Sequence, residues 1–310
     1  MQEQQGTAVA PSPRAGYVAL VGRPNVGKSA LLNALIGEKL SIVTARAQTT
    51  REQVLGILTT DCAQVVFVDT PGLLVPKYRL QESMLRTALA AIKDADLILL
   101  LLDAGRPDEV PSPDLVPQLS LRRKDLTCAI NKIDLPAPGG IARLQAWAES
   151  ALGLEPMLCS ALTGDGLAGL QDQLIGQLPP SPFLYPADDL AVQPTRFFVQ
   201  ELVRETIFEQ YEQELPYSTV TRVEEFREGR APIYIRVTVY VERASQKAIL
   251  LGKDGRAIRE LGRSARQKIE KLVGAEVYLD LWVKTLPGWR NKSATLKFLG
   301  YAVPPESTGR

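Results

Sequence analysis

One short stretch of the sequence combines glycines, a lysine and a serine at a spacing that binds phosphate. It reads Gly22-Arg23-Pro24-Asn25-Val26-Gly27-Lys28-Ser29 and is followed by Ala30. An apolar run at 17–21 precedes it and an amphipathic segment follows, which is the strand–turn–helix context of a phosphate-binding loop. Lys28 would reach the β- and γ-phosphates, and the Ser29 hydroxyl would ligate Mg²⁺. The stretch therefore predicts a nucleotide-phosphate site at residues 22–30.

A second motif, Asn131-Lys132-Ile133-Asp134, follows the apolar strand 126–130 and selects the base. The Asp134 carboxylate can accept two hydrogen bonds from guanine, whereas adenine offers no donor at either place. Lys132 would stack its stem along the base, and Asn131 would tie this segment to the phosphate-binding loop. After the next strand, a backbone N–H of Ser160 or Ala161 could contact guanine O6. These residues predict a guanine nucleotide.

Two further loops could respond to the γ-phosphate. Asp69-Thr70-Pro71-Gly72 ends the strand 64–69, where Asp69 would hold the Mg²⁺ shell directly or through water. The Gly72 N–H would meet the γ-phosphate and move when that phosphate leaves. In Gln48-Thr49-Thr50-Arg51 a threonine hydroxyl could complete the Mg²⁺ shell, and the sequence alone does not decide between the two threonines. Leu73 follows Gly72, where Ras-type switches carry a water-orienting glutamine, so we expect slow intrinsic hydrolysis.

The composition excludes several other kinds of site. The chain has 310 residues, a net charge of +1 and no histidine, which removes histidine ligands and histidine acid–base catalysis. Cys62, Cys128 and Cys159 lie far apart without a C-x-x-C spacing, so we expect reduced thiols rather than zinc or disulfides. The start has neither a basic nor an apolar signal region, and the apolar run 97–102 is too short to span a bilayer. We expect a cytoplasmic protein.

The first half of the chain alternates apolar runs with helical segments, which predicts an α/β fold with a doubly wound, mostly parallel sheet. The predicted strands are 17–21, 54–58, 64–69, 97–102, 126–131 and 155–159. The predicted helices are 28–36, 80–92, 112–122, 140–151 and 167–177. We expect a disordered tail at 1–15, a first domain at 16–180, a proline-rich linker at 181–195 and a second domain at 196–310.

The second domain carries the loop Gly252-Lys253-Asp254-Gly255 before a helix, in the order helix, two strands, helix, Gly turn, helix, strand. This is the pattern of a type II KH fold, an α+β domain whose G-x-x-G loop clamps about four single-stranded nucleotides. From 243 to 271 there are nine Lys or Arg against three Asp or Glu. Arg256, Arg259 and Arg263 fall on one helical face with Arg266, which suits phosphate contacts, although a solvated charged face would look the same.

Three aromatic residues near the end of the chain could stack on bases, namely Trp282, Trp289 and Tyr301. Trp282 lies inside an apolar strand, so we predict that it belongs to the core.

Together these motifs resemble the translation-factor class of bacterial small GTPases. With the KH region, Glu214–Ser218 and Leu281–Trp289 added, residues 16–302 are similar to the Era family of ribosome-assembly GTPases. The resemblance implies GTP or GDP with Mg²⁺, Thr50 as the threonine ligand, and K⁺ held by Asn25. Asn25, Lys28, Thr50 and Gly72 are then the catalytic candidates. Ala30 departs from the family, which usually has threonine there, and we expect little effect.

The resemblance also implies the partners: the 3′ end of 16S ribosomal RNA and the 30S subunit, whose maturation the protein would assist. We expect a monomer with no DNA partner and at most peripheral association with the inner face of the membrane. Two interpretations stay open. The favoured one is a GTP-hydrolysing switch that controls an RNA-binding domain, and the other is an RNA-binding assembly chaperone in which GTP is a structural or regulatory ligand. A P-loop metabolic kinase is a third interpretation, and Asn131-Lys132-Ile133-Asp134 argues against it because this motif selects guanine.

Overall fold

The computed structural model describes residues 12–44, 46, 48–229 and 231–303. The predicted tail therefore lies outside the described residues over 1–11. Its predicted end at residue 15 was wrong, because Arg14 and Ala15 already belong to the first strand. Arg14 pairs with Ala63 of a neighbouring strand, so the sheet begins earlier than the apolar run suggested.

The first unit of the chain is an α/β sheet with helices on both faces. In chain order it contains β1 (Arg14–Gly22), α1 (Lys28–Ile36), β2 (Val54–Thr59), β3 (Ala63–Asp69), α2 (Arg79–Asp94), β4 (Leu97–Asp103), α3 (Val116–Ser120), β5 (Leu126–Asn131), α4 (Gly140–Leu152), β6 (Met157–Leu158) and α5 (Leu167–Gln177). The strand order is β2-β3-β1-β4-β5-β6, with β2 antiparallel to β3 and all other pairs parallel. The predicted doubly wound, mostly parallel sheet is confirmed.

Burial explains why these runs form strands. Every residue of β3 and β4 is buried, as expected for strands covered by helices on both sides. One core packs α2 and α4 on one face of the sheet, and another packs α1 and α5 on the other. The carboxyl ends of the parallel strands meet at one edge, where ligands of such sheets bind.

Two predicted elements were too long, and proline explains both. The predicted helix 112–122 is α3, Val116–Ser120, followed by a 3₁₀ turn at Arg123–Asp125. Pro117 fits only in the first helical turn, because it cannot donate a backbone hydrogen bond further along. The predicted strand 155–159 is reduced to β6, Met157–Leu158, and Pro156 immediately precedes it.

The second unit has the helix–strand–strand–helix–helix–strand order of a type II KH fold. It contains α6 (Thr195–Gln210), α7 (Leu215–Ser218), β7 (Val220–Arg227), β8 (Ile233–Val241), α8 (Ala244–Leu251), α9 (Arg256–Val273), β9 (Val277–Thr285) and α10 (Ser293–Phe298). β8 lies in the centre, antiparallel to β7 and parallel to β9. The buried faces of α6, α8 and α9 cover one side of this sheet.

The proline-rich segment between the units packs along the first sheet. Ile57 of β2 donates its backbone N–H to the Leu190 carbonyl at 2.9 Å, and Gln64 binds the backbone of Leu184 and Tyr185. We propose the two domains at 16–180 and 196–310, since separate cores lie on either side of this segment. In the described part of the chain, no helix is long and apolar enough to cross a membrane.

One further apolar cluster joins the two units. Leu80 and Met84 of α2 pack with buried side chains of the second unit, among them Trp289, Leu296 and Tyr301. Because α2 follows the Asp69–Gly72 loop in the chain, this cluster connects that loop to the KH unit.

Candidate nucleotide site and candidate RNA groove

The phosphate-binding loop lies between the end of β1 and the start of α1, as its spacing predicts. Gly27 has a φ of 100°, and a Cβ at this position would lie 2.3 Å from Nδ2 of Asn131. Only glycine therefore lets the loop approach Asn131 so closely. Asn25 also has a positive φ, 66°, which asparagine tolerates better than most residues. The loop and its neighbours line an open cavity of about 560 Å³.

Lys28 lines this cavity, and the fully buried Asp69 contacts Ser29 and Thr50 of the cavity wall. The Lys28 ammonium donates to the carbonyls of Gly22 and Arg23 at 3.2 and 3.1 Å. Burial lowers the pKa of Lys28 to about 8, against the opposing effect of Asp69. Burial likewise raises the pKa of the Asp69 carboxyl, while Lys28 and Ser29 counteract the shift. Both charges are costly in this place unless a counter-charge is bound.

Three oxygen-bearing side chains converge beside Lys28. The Ser29 hydroxyl donates to Asp69 Oδ2 at 2.6 Å, and Thr50 Oγ1 lies 2.9 Å from Ser29 Oγ and 3.3 Å from Asp69 Oδ2. Among the described residues, the buried Asp69 Oδ1 has no hydrogen-bond partner. Hydroxyl and carboxylate oxygens are the ligands that Mg²⁺ prefers, so this set fits the ion. Of the two candidate threonines, Thr50 joins the cluster and Thr49 makes neither contact, and its role as ligand stays a prediction.

The Asp69–Gly72 loop lies directly against the phosphate-binding loop. A Cβ on Gly72 would come within 2.7 Å of the Pro24 backbone nitrogen, so this approach requires glycine. The Leu73 N–H donates to the Gly22 carbonyl at 3.0 Å, and Thr70 Oγ1 donates to the Leu20 carbonyl at 2.7 Å. Pro71, between them, is buried. The Leu73 side chain is buried as well and offers no group that could orient water.

The base-selecting residues are organised by hydrogen bonds at the ends of β5 and β6. Asn131 Nδ2 donates to the Val26 carbonyl at 2.9 Å, and Asn131 Oδ1 accepts from the Ala161 N–H at 3.0 Å. Asn131 is therefore a structural tie between the loops, as predicted. The Ser160 hydroxyl donates to Asp134 Oδ1 at 2.6 Å, which fixes the carboxylate that would read guanine.

Lys132 contacts Asp103, a residue that was not predicted to belong to the site. Its ammonium donates to Asp103 Oδ2 and to the Asn25 carbonyl, each at 2.6 Å. Asp103 ends β4 and is buried. Its position at the carboxyl end of an apolar strand is the sequence signal that could have indicated a site residue. The cavity is also lined by Val43, Arg106 and Leu162, for which the sequence gave no signal.

Two predicted phosphate-loop side chains do not line the cavity: Val26 is buried in the core with α1, and Arg23 turns away. It lies 3.9 Å from Glu109 and donates to the Val110 carbonyl at 3.4 Å. Only its backbone faces the site, through the carbonyl that Lys28 binds. The backbone of Arg23 can therefore take part in nucleotide binding as predicted, whereas its guanidinium cannot.

The G-x-x-G loop forms a tight turn before α9. Gly252 has a φ of 67°, and a Cβ there would lie 2.6 Å from Cβ of Ala257. Asp254 and Gly255 also have positive φ values, and Arg259 donates to the Asp254 carbonyl at 2.9 Å. Lys253 is exposed at the tip of the turn. A side chain of α9 thus stabilises the conformation of the loop that precedes this helix.

An open groove of about 430 Å³ runs between α9 and the edge strand β9. Its walls include Arg259, Arg263 and Arg266 on the helix and Tyr278 on the strand. Arg256 is exposed at the start of the same helix, whereas Leu261, Ala265 and Ile269 point into the core. The predicted basic stripe is therefore exposed beside the G-x-x-G loop, the arrangement that phosphate contacts require.

The structure reverses the predictions for the late aromatic residues. Trp289 is 0% exposed and Tyr301 is buried with it, so neither can stack on a base. Trp282 was predicted to be core and is 51% exposed. Alternation along β9 places Val277 and Val283 on the helix-covered side, which leaves Trp282 on the opposite face.

Comparison with known proteins agrees with both halves of the chain. Residues 17–132 match the family described as 50S ribosome-binding GTPase, and residues 214–290 match the KH domain. GTPase Era of Carboxydothermus hydrogenoformans is 37% identical over 293 residues, covering 94% of this chain and 98% of that protein. GTPase Era of Crocosphaera subtropica is 40% identical over 296 residues, covering 94% and 93%. The chain belongs to the GTPase Era family. It is accordingly a GTPase, not a metabolic kinase.

Two solved Era structures match nearly the whole fold. A tyrosine-to-alanine variant of Era from Aquifex aeolicus, bound to GDP and aluminium tetrafluoride, is 36% identical with a TM-score of 0.86. A second Era structure, in complex with MgGDPNP and nucleotides 1506–1542 of 16S ribosomal RNA, is 35% identical with a TM-score of 0.88. Each comparison covers 94% of this chain and 100% of the other. The Era family fold therefore extends through both units of the chain.

Adjacent threonines provide a matched test of the Mg²⁺ prediction. We expect Thr50→Ala to raise the Mg²⁺ concentration needed to bind a non-hydrolysable GTP analogue by about tenfold, because a ligand oxygen is lost. Thr49→Ala should change it by less than about threefold on the same scale. The measurement is a Mg²⁺ titration with fluorescent analogue, repeated with GDP as a control that we expect to be insensitive. Equal effects of the two substitutions would contradict the assignment.

Proposed function

We propose that this protein is a GTP-binding and GTP-hydrolysing switch that binds the 3′ end of 16S ribosomal RNA and assists maturation of the 30S subunit. The relative whose structure contains nucleotides 1506–1542 of that RNA supports the partner. The exposed arginines beside the G-x-x-G loop support single-stranded RNA as the ligand. We place this function in the cytoplasm, with membrane contact at most peripheral, and with the protein acting as a monomer.

The chemistry follows from the cavity. Ser29, Thr50 and Asp69 would hold Mg²⁺, which neutralises charge on the phosphates, and Lys28 would contact the β- and γ-phosphates. The Gly72 N–H would meet the γ-phosphate, and Asp134 with Ala161 would read guanine. Positioning and charge stabilisation account for most of the catalysis of phosphoryl transfer, so the buried, fixed charges of this cavity suit the reaction.

One contact carries the switch part of the proposal. Arg51, next to the candidate Mg²⁺ ligand Thr50, is 5% exposed and inserts into the KH unit. Its guanidinium donates to three backbone carbonyls there, at Thr219, Pro216 and Tyr217, over 2.6 to 3.2 Å. It also lies 5.7 Å from the ring centroid of Trp289, a cation–π distance. Because Arg51 is the next residue in the chain, a movement of Thr50 displaces a side chain that is bound to the KH unit.

The other phosphate-sensing loop has a parallel connection. α2 follows the Asp69–Gly72 loop and buries Leu80 and Met84 against the KH unit. Gln81 of the same helix donates to Gln48 Oε1 at 3.1 Å, which links α2 to the threonine loop. Both loops are thus attached to the same partner surface. That arrangement lets nucleotide state bias the position of the KH unit.

The chaperone alternative has one observation in its favour. Leu73 is buried where Ras-type switches place a glutamine, so this position supplies no side chain that could orient the attacking water. In that case GTP would mainly stabilise one arrangement of the two units, and turnover would be incidental.

The main test is a titration of RNA comprising nucleotides 1506–1542 in two nucleotide states. With a non-hydrolysable GTP analogue we expect binding about 5- to 150-fold tighter than with GDP at the same salt concentration, the range of ordinary allosteric coupling. Fluorescence anisotropy measures both constants. Equal affinities would favour the chaperone, and absence of binding in both states would overturn the RNA proposal.

Arg51→Ala tests the route of coupling. We expect this variant to reduce the ratio of the two RNA affinities to less than about threefold, because the threonine loop loses its attachment to the KH unit. Nucleotide affinity and the melting temperature verify that both units remain folded. Arg123→Ala is the control, since Arg123 also donates its guanidinium to a backbone carbonyl, that of Gly153, but far from the KH unit. An unchanged ratio in folded Arg51→Ala would rule out this route.

Potassium dependence tests how hydrolysis proceeds without a glutamine. The Asn25 side chain would hold K⁺, which supplies positive charge near the transferred phosphoryl group. We expect GTP hydrolysis to be about tenfold or more faster in KCl than in NaCl, and Asn25→Ala to remove the difference while GDP affinity is kept. Rates that agree in the two salts would exclude K⁺ from the mechanism.

A further inference from the structure

The three-stranded sheet of the KH unit has an outer face, opposite α6, α8 and α9, that none of these helices covers. Strand alternation brings Tyr234, Arg236, Thr238 and Tyr240 of β8 to this face. On β9 the outer residues are Tyr278, Asp280, Trp282 and Lys284. The aliphatic side chains of both strands point the other way, into the helix-covered core. Thr238 and Tyr240 are buried, Tyr240 in the cluster around Trp289, and the rest of this face is aromatic and charged.

Three aromatic rings on this outer face are open to solvent. Tyr278 is 60% exposed, Trp282 51% and Phe298 of α10 53%. The Trp282 indole N–H donates to Asp280 Oδ2 at 2.9 Å, which fixes the edge of the ring. Arg222 stacks over Phe298 at 4.3 Å from its centroid. The rings are therefore held in place by their edges or by a neighbour, a preorganised platform for stacking.

Between Trp282 and Phe298 the surface sinks into an open hollow of about 420 Å³. Its residues are Arg222, Glu224, Arg236, Thr238, Tyr240, Trp282, Lys284 and Phe298. Aromatic walls with a basic rim are the usual features of sites that bind single-stranded nucleic acid, where bases stack and cations meet the backbone.

The acidic groups of the outer face are already neutralised. Asp280 accepts hydrogen bonds from Tyr234, Trp282 and Arg236. Glu224 accepts from the Tyr240 hydroxyl at 3.0 Å and lies 3.9 Å from Arg222, and Glu225 lies 3.5 Å from Arg236. Among the described residues no carboxylate pairs with Lys284, so its charge remains available beside Trp282. A free positive charge beside exposed aromatic rings thus favours a ligand that combines anionic groups with flat bases, as single-stranded RNA does.

The outer face is continuous with the candidate RNA groove. Tyr278 lies on the outer side of β9 and also lines the groove between α9 and β9. A G-x-x-G loop clamps only about four nucleotides. The RNA in the related Era complex, nucleotides 1506–1542, is far longer than that. An RNA of this length can extend beyond the groove, and the outer face begins where the groove ends.

We propose that the outer face of β8 and β9 is a second single-stranded RNA surface, on which Trp282 stacks a base and Arg222, Arg236 and Lys284 contact the backbone. This proposal rests on the RNA binding proposed above. It adds a second set of contacts, separate from the G-x-x-G groove and specific to RNA long enough to cross the β9 edge.

Two RNA lengths separate the two surfaces. The long probe is the RNA of nucleotides 1506–1542, and the short probes are a tiled set from the same segment, each roughly eight nucleotides long, about twice what one loop clamps. All titrations use the full chain with a non-hydrolysable GTP analogue. We expect Trp282→Ala to weaken binding of the long RNA by about tenfold or more, the loss of one stacked base. The best-binding short RNA should keep its affinity within about twofold.

Trp282→Phe is the matched variant, because it keeps a stacking ring and loses only the indole N–H to Asp280. It should retain affinity for the long RNA within about threefold. Lys253→Ala at the tip of the G-x-x-G loop should weaken both probes, since the short RNA depends on the groove. Melting temperatures verify folding, which we expect to be kept because Trp282 is half exposed.

The possible outcomes are distinct. If the wild-type protein binds neither probe, the RNA function itself fails. If it binds both and Trp282→Ala leaves the long RNA unaffected, this second surface is refuted and the face serves a protein partner instead. Equal weakening of short and long RNA by Trp282→Ala would place the residue in the groove and also overturn the proposal. Selective loss of the long RNA supports it.

Discussion

A guanidinium buried between two folded units is the constraint on which this structure depends. Arg51 has left water, and burial lowers its pKa, so its charge requires fixed acceptors in return. Three backbone carbonyls of the segment that leads into β7 provide them. Because backbone carbonyls cannot move independently of the chain, the segment 216–219 must follow the loop that contains Thr50. The loop that carries the proposed Mg²⁺ ligand Thr50 and the KH unit are therefore mechanically connected.

The surroundings of Arg51 make that connection stiff. Trp289 lies under the guanidinium, stacks on Tyr301 at 6.3 Å and donates its indole N–H to the Ser218 carbonyl at 2.9 Å. The same cluster receives Leu80 and Met84 of α2. Close packing of this kind transmits a displacement rather than absorbing it, since well-packed side chains have few alternative arrangements. Such stiffness suits a nucleotide-dependent GTPase, because the loss of one phosphate causes only a small local displacement that must move a whole domain.

Helices cover one face of the KH sheet, and the other face is exposed except where Val220 and Tyr240 pack in the cluster around Trp289. Its helices bury the aliphatic face of the sheet and present the G-x-x-G loop, while the outer face carries the exposed rings of Tyr278 and Trp282. Trp282 is half exposed on a strand surface, where the RNA proposed above would cover it. Trp289, only seven positions later, has the opposite fate because the chain turns back toward the first unit after β9.

The sequence by itself determined the nucleotide site, because each motif there is local: Lys28 and Ser29 follow Gly27 in one turn, and Asp69 and Asn131 each end a strand whose apolar pattern is unmistakable. It also determined the order of elements and the basic stripe of α9. Tertiary structure alone decided which threonine joins Asp69, that Asp103 pairs with Lys132, and that Arg51 is buried. It also decided that Trp282 is exposed and Trp289 is buried, the reverse of what was expected. Those outcomes depend on contacts between residues distant in the chain, which no local spacing encodes.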